Sequence, residues 1–371
     1  MSEIKLENEF GCNHSIDMIH RRKSAGSEGI RGHGTLRQAW RTAIVPALVL
    51  IPAAALAVAQ GTSNIMVRTL AAGATVARIQ QALDSLPAAG GEVVLPAGKI
   101  VVDRPIVLGR DGLALRGAGD STVLWLANNA NCPVIIMGRP VDNPERVEHL
   151  QVSDLFIDGN RAHQQRENWR LMGQGVSIRN NGITVQNVSD SRVENVTCAR
   201  CRSGGLVTTL GTTQLTVSNL ESFGNEFDGL AGFETKSCHF TKLYLHDNPG
   251  AGISLDGNFN HNVIDNAILS RNDVGIFMRW SHDNVFRDVS IRNSRHYGVF
   301  MAENIEQAAA PGRDLNCFNN SFSRLTEHEW GDAAFRVNDP GCTNNVLLGA
   351  RFIGDVHGSL SMAMPGLLMM K

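Results

Sequence analysis

Glu234, Lys236, Asp256, Arg279, Trp280 and His282 recur at intervals of about two dozen residues, each four to seven positions after Gly229, Gly252 or Gly275. Two acids, two cations, an imidazole and an indole at repeating positions are the ingredients for work on an acidic sugar. Proton abstraction beside a uronate carboxylate needs a base, and it needs cations that neutralise the carboxylate and so stabilise the resulting carbanion. Lys236 or His282 would serve as base, Arg279 as neutraliser, and Asp256 or Glu234 as the group that tunes them. Trp280 would stack on a sugar ring, with Asn258 beside it. The alternative is a surface ladder of opposite charges, worth about 0.2–1 kcal/mol per pair and needing no substrate.

A second cluster lies between Asp158-Gly159-Asn160 and Gly175. The segment RAHQQRENWRLMGQG brings Arg161, His163, Arg166, Trp169 and Arg170 into one expected loop. Guanidinium groups pair with carboxylates in a two-pronged fashion, so Arg161, Arg166 and Arg170 with Trp169 are candidates to grip an acidic polysaccharide. A solvated basic loop fits the same residues. The stretch from Ile305 to Asn316, with Ala308-Ala309-Ala310-Pro311-Gly312, is expected to be a flexible flap beside the cleft.

These residues become neighbours only if the chain coils with their period. Gly205, Gly229, Gly252, Gly275 and Gly298 are 24, 23, 23 and 23 residues apart, and self-similarity at that period marks a solenoid. Each repeat also carries a polar residue followed two, five and seven positions later by apolar ones, as in Asn262 with Ile264, Ala267 and Leu269, and Asn284 with Phe286, Val289 and Ile291. Short alternating phrases with Gly, Asn and Asp at the corners describe strands and tight turns, not helices. The expectation is an all-β, single-stranded right-handed parallel β-helix of about 23 residues per coil. Each strand then pairs with its equivalent one coil away, about 4.8 Å distant. The asparagines are expected at turns, in left-handed backbone, with their amides bonding to the next coil.

The rest of the chain divides around this solenoid. Residues 1–59 form a leader: Arg37 and Arg41 precede an apolar run, 43–59, that ends Ala57-Val58-Ala59, a small-x-small signal-peptidase pattern. Residues 60–74 are a linker. A capping helix spans 75–90, with Thr75 as N-cap, Val76, Ile79, Leu83 and Leu86 on one face, and Pro87 and Gly90-Gly91 ending it. Coils run over 91–358, and 359–371 form a tail. The protein is therefore expected to be exported, whether periplasmic, secreted or on the cell surface. A net charge of −2, from 34 basic and 36 acidic residues, argues against nucleic acid as partner.

Of seven cysteines, six follow the leader. Cys317 and Cys342 each lie three residues before an asparagine of the repeat, so they fall on equivalent positions of neighbouring coils and are candidates for a disulfide. Cys198 and Cys201 lack a second pair at zinc-ligand spacing, and Cys198 falls on an inward position, so core thiols are expected there. No metal site is assigned. Glu234 with Asp256 would at most make a thin calcium site, and the oligomeric state is open.

The run ARIQQALDSLPAAGGEVVLPAGKIVVDRPIVL, the phrase LALRGAG and the later LFIDGNRA resemble the N-terminal region of the pectate-lyase-like superfamily of right-handed parallel β-helices, over about 280 residues. The resemblance implies the fold and a saccharide lying along one face. It leaves the activity open, because that superfamily includes lyases, hydrolases, epimerases, phage tailspikes and members without known catalysis. One coil is also similar to mannuronan 5-epimerases, which carry Tyr-Gly-Phe-Asp-Pro-His where this chain has Ala231-Gly232-Phe233-Glu234-Thr235-Lys236; the next coil supplies Asp256. The Tyr and His that this family uses as acid and base are Ala231 and Lys236 here. The leading expectation is a lyase or epimerase acting on a uronate polysaccharide. A non-catalytic carbohydrate-binding or adhesion protein is second. A glycoside hydrolase using Glu234 with Asp256 or Glu303 is third; the Asn-Thr-Asp and Asp-Asp strings of polygalacturonase-type enzymes do not occur.

Overall fold

Ile253, Ile276 and Val299 are parallel register partners, each 23 residues from the next, and this ladder is the axis of the molecule. The computed structural model describes residues 65–141, 143–165, 168–170, 177–305, 314–354 and 367–370. Among them the strands form a right-handed parallel β-helix. The leader with its apolar run, Arg166, residues 306–313 of the expected flap and most of the tail lie outside the described residues.

Two large parallel sheets run the length of the solenoid. One has nine strands from Ile106–Leu108 to Ala333–Val337, stacked strictly in chain order. The other has fifteen and contains the longer strands, such as Ser191–Ala199, Leu215–Phe223, His239–His246, Val263–Ser270 and Val285–Ser294. Alternate residues point inward. Val217, Phe240, Ile264, Phe286 and Phe322 stack as one buried column, and Leu230, Ile253, Ile276 and Val299 as another. Phe286 and Phe322 lie parallel with ring centres 4.4 Å apart, close to the rung spacing itself.

The repeated glycines mark where neighbouring coils approach most closely. A Cβ on Gly275 would lie 2.5 Å from the carbonyl oxygen of Gly298, and one on Gly229 2.9 Å from that of Gly252. No side chain fits between those backbones.

The asparagines depart in part from expectation. Their amides do bond from coil to coil: Asn262 Nδ2 donates to Asn284 Oδ1 at 3.2 Å, Asn284 to Asn320 at 3.0 Å, and Asn320 to Asn345 at 3.0 Å. A second ladder links Asn225, Asn248 and Asn272. But these side chains are buried inside the coil, and the left-handed residue is the one before each, namely Gly224, Asp247, His261, Arg271, Asp283, Asn319 and Asn344, with φ of 55–62°. The turn requires positive φ at the preceding position so that the amide can swing inward to satisfy corner backbone groups, which water cannot reach.

Helix α1, Val76–Asp84, lies at the N-terminal end. Thr75 caps it by accepting from Arg78 N, and Val76, Ile79, Ala82 and Leu83 are buried against the first coils. That placement covers apolar core that an open solenoid end would expose to water.

Cys317 and Cys342 are thiols in this structure. They do occupy neighbouring coils, but the Cys342 sulfur accepts the Cys317 backbone N–H at 3.3 Å, and the Cys317 thiol donates to Ala302 O at 3.6 Å. Each sulfur has taken a place in the corner hydrogen-bond ladder. Cys198 and Cys201 are fully buried, and burial pushes the Cys201 thiol up to about 12.

Candidate functional site

Asp256 directly follows strand Ala251–Leu255 and Arg279 ends strand Val274–Arg279, each one position past the register pair Leu255 and Met278 in the nine-strand sheet. The repeat predicted this juxtaposition. Their state differs from the prediction: Asp256 is 6% exposed and Arg279 4%, so neither belongs to an open patch. Arg279 donates through Nε to Asp256 Oδ2 at 3.0 Å and through Nη2 to the same oxygen. The other oxygen, Oδ1, accepts from Asn304 Nδ2 at 2.8 Å. Beneath the guanidinium, 5.6 Å away, is the ring of Phe277, which stacks on Phe300 of the next coil at 5.6 Å and 7°. Phe277, Phe300 and Asn304 were missed in the sequence. The two phenylalanines sit two positions after their glycines, the same face as Arg279, and that spacing was available to find them.

Glu234, Asn258 and Trp280 are not strand residues. All three adopt left-handed backbone, with φ of 42°, 73° and 46°, and form the corner that follows the sheet. Their backbones knit the corner together: Glu234 N donates to Gly257 O at 2.8 Å and Asn258 N to Trp280 O at 2.8 Å. Glu234 and Asn258 are exposed and Trp280 is half-buried.

Past this corner the chain turns onto another face, carrying Lys236 and His282 with it. Lys236 pairs with Asn260, and Asn260 with His282. The coil containing Asp256 has one extra residue at its corner, Gly257-Asn258, so that Thr235 and Ser281 align with Phe259. The expected single patch is therefore divided. Asp256 and Arg279 end one face, Glu234, Asn258 and Trp280 make the corner, and Lys236 and His282 open the next. His282 is held by stacking on Phe318 at 4.5 Å and by a 2.7 Å contact of Nδ1 with Asp283 Oδ2.

Arg279 is paired with Asp256, so it is not an open cation waiting for a substrate carboxylate. Asp256, expected to tune the base, has one carboxylate oxygen on Arg279 and the other on Asn304.

The second cluster also differs from expectation. Arg161 starts a short 3-10 turn, and its Nε lies 3.5 Å from Glu226 Oε2. Trp169 and Arg170 belong to strand Asn168–Arg170, which pairs antiparallel with Ser177–Arg179; residues 171–176 between these strands lie outside the described residues. Arg166 lies outside the described residues.

Coils stacked in strict parallel register, with one helix at the N-terminal end, decide the classification. The chain folds as a right-handed parallel β-helix. Solved structures share this fold at low sequence identity. Endo-xylogalacturonan hydrolase from Aspergillus tubingensis superposes with a TM-score of 0.59 at 16% identity, over 82% of this chain and 91% of that one. An alginate lyase from Paenibacillus sp. gives 0.57 at 12%, over 82% and 98%. A mannuronan C-5 epimerase A-module from Azotobacter vinelandii gives 0.51 at 16%, over 80% and 93%. Residues 147–329 of the β-helix protein match the family described as periplasmic copper-binding protein (NosD). No match is found among curated proteins at the level of sequence.

Proposed function

We propose that this protein is an exported β-helix that binds an acidic extracellular polysaccharide along the corner formed by Glu234, Asn258 and Trp280 and the adjoining face of Lys236 and His282. The observation that carries this reading is the closed Asp256–Arg279–Asn304 group. With the acid and the cation spent on each other, proton abstraction loses its two charged partners. What stays accessible is an indole, an amide, an ammonium and an imidazole at rung spacing. Those groups suit ring stacking and carboxylate pairing. Fold relatives that act on xylogalacturonan and alginate support a saccharide ligand. The sequence of the leader and the periplasmic description of the matched family support export.

Uronate lyase or epimerase chemistry is the competing reading. A sugar carboxylate that displaced Asp256 from Arg279 would release a base and supply a neutralising cation in one exchange. The two readings separate in a single experiment on pectate, alginate and glycosaminoglycans, with calorimetric binding and ultraviolet absorbance followed together. Binding without an unsaturated product is expected. An absorbance increase would assign lyase activity, and inverted sugar stereochemistry without one would assign epimerisation.

A further inference from the structure

His261, His282 and Asp283 meet at one corner, away from Asp256 and Arg279. Each offers one ligand atom, and the three atoms lie within 4.8 Å of one another. The solenoid builds this cluster directly. His261 precedes Asn262 and Asp283 precedes Asn284, so the two occupy the same corner position on adjacent coils, both in left-handed backbone with φ of 56°. His282 stands beside Asp283, and its ring meets that of His261 edge-on with centres 5.9 Å apart.

The supporting shell is in place. Phe318 stacks on His282 at 4.5 Å and fixes the plane of its ring. Asn319, at the same corner position one coil further on, donates through Nδ2 to Asp283 Oδ1 at 3.1 Å and orients the carboxylate. His261 is exposed and His282 and Asp283 are half-buried, so an ion reaches them from solvent without opening the core.

We propose that His261, His282 and Asp283 form a surface binding site for a divalent transition ion. Two imidazoles and one carboxylate make a borderline-soft donor set that suits Cu(II), Zn(II) and Ni(II) and is unsuited to calcium or magnesium, which take oxygen ligands. Cu(II) binds tightest in the general ordering of divalent ions. Three protein ligands leave a coordination position for water or an exogenous ligand. All three residues, with Phe318 and Asn319, fall inside the 147–329 segment matched to a family described as copper-binding. The donor set fits the cupric ion. Thiols, which would favour the cuprous ion, are all buried among the described residues. The site shares His282 with the proposed saccharide face, whereas His261 and Asp283 belong to the metal cluster alone.

The test is a calorimetric titration of the full chain with Cu(II), Zn(II) and Ca(II), with electron paramagnetic resonance of the Cu(II) form. The expected result is one Cu(II) per chain showing nitrogen coupling, weaker Zn(II), and no Ca(II) at the same site. His261→Ala and His282→Ala each lower Cu(II) affinity at least ~10-fold, and Asn319→Ala lowers it ~10-fold through loss of carboxylate orientation. His239→Ala, whose imidazole pairs with Asp265 elsewhere, leaves affinity unchanged. Because His261 is exposed, its substitution leaves the fold intact and the result readable. Cu(II) affinity unaltered by His261→Ala and Asp283→Asn, or a spectrum without imidazole nitrogen, would overturn the proposal.

Discussion

The carboxyl of Glu327 fills the space that Gly298 leaves by having no side chain: a Cβ on Gly298 would lie 0.8 Å from Glu327 Oε1. The same point is 2.5 Å from the carbonyl oxygen of Ala334, so the two oxygens are within hydrogen-bonding distance of each other. Glu327 stands between Ile291 and Phe352 in an otherwise apolar inward column and is 1% exposed. No N–H or O–H among the described residues reaches either carboxyl oxygen. Burial raises its pKa well above the usual carboxylate range, and the neutral acid can donate to Ala334 O where the carboxylate would be repelled.

This arrangement predicts a base-labile solenoid. A pKa raised by folding stabilises below the unfolded-state value, and that stabilisation is lost as pH rises through the folded-state value. Thermal unfolding followed from pH 4 to pH 9, a range of roughly the span over which such groups titrate, should show falling stability for wild type. The Glu327→Gln variant should show a flatter profile. Glu327→Leu should lose this pH dependence and be more stable than wild type by about 1–3 kcal/mol at the alkaline end, where the buried carboxylate has no donor.

The Asp256–Arg279 pair makes an asymmetric prediction. Asp256→Ala strands a buried guanidinium and should cost about 3–5 kcal/mol. Replacing both residues together, Asp256→Leu with Arg279→Met, should cost much less than the sum of the single changes. Denaturant unfolding of the four proteins in the cycle measures the coupling.

Cutting the asparagine ladder should be costly although no charge is involved. Asn284 donates to Asn320 Oδ1 and to Phe259 O at 2.9 Å, and it accepts from Asn262 N at 3.0 Å. Asn284→Ala leaves these buried partners unsatisfied and should cost about 1–3 kcal/mol, with hydrogen exchange fastest in the coils on either side of residue 284.

Much of the fold was legible in the sequence, because it rests on periodicity. The spacing of Gly229, Gly252 and Gly275 gave the coil, and the residues after them gave the Asp256–Arg279 register. The division of the site was not legible. Glu234 and Trp280 are ordinary strand-compatible residues, and their left-handed backbone is imposed by ladder bonds between coils. The extra corner residue at Gly257-Asn258 shifts Phe259 and Asn260 by one place relative to the count from the glycines, so that Asn260 stands between Lys236 and His282. Burial was also hidden. A charged pair at an outward position reads as surface unless the neighbouring phenylalanines are counted with it. His261 sits in a turn, and the same turn brings it to His282 and Asp283.

The most direct test of the account is the affinity of wild type, Trp280→Ala and Lys236→Ala for polygalacturonate and alginate at low salt, with product formation followed in the same samples. The account predicts binding by wild type without unsaturated product, a loss of about 3- to 10-fold for Trp280→Ala as expected for one stacked ring, and a salt-sensitive loss for Lys236→Ala. Equal affinity in all three proteins, or release of unsaturated sugars by wild type, would contradict it.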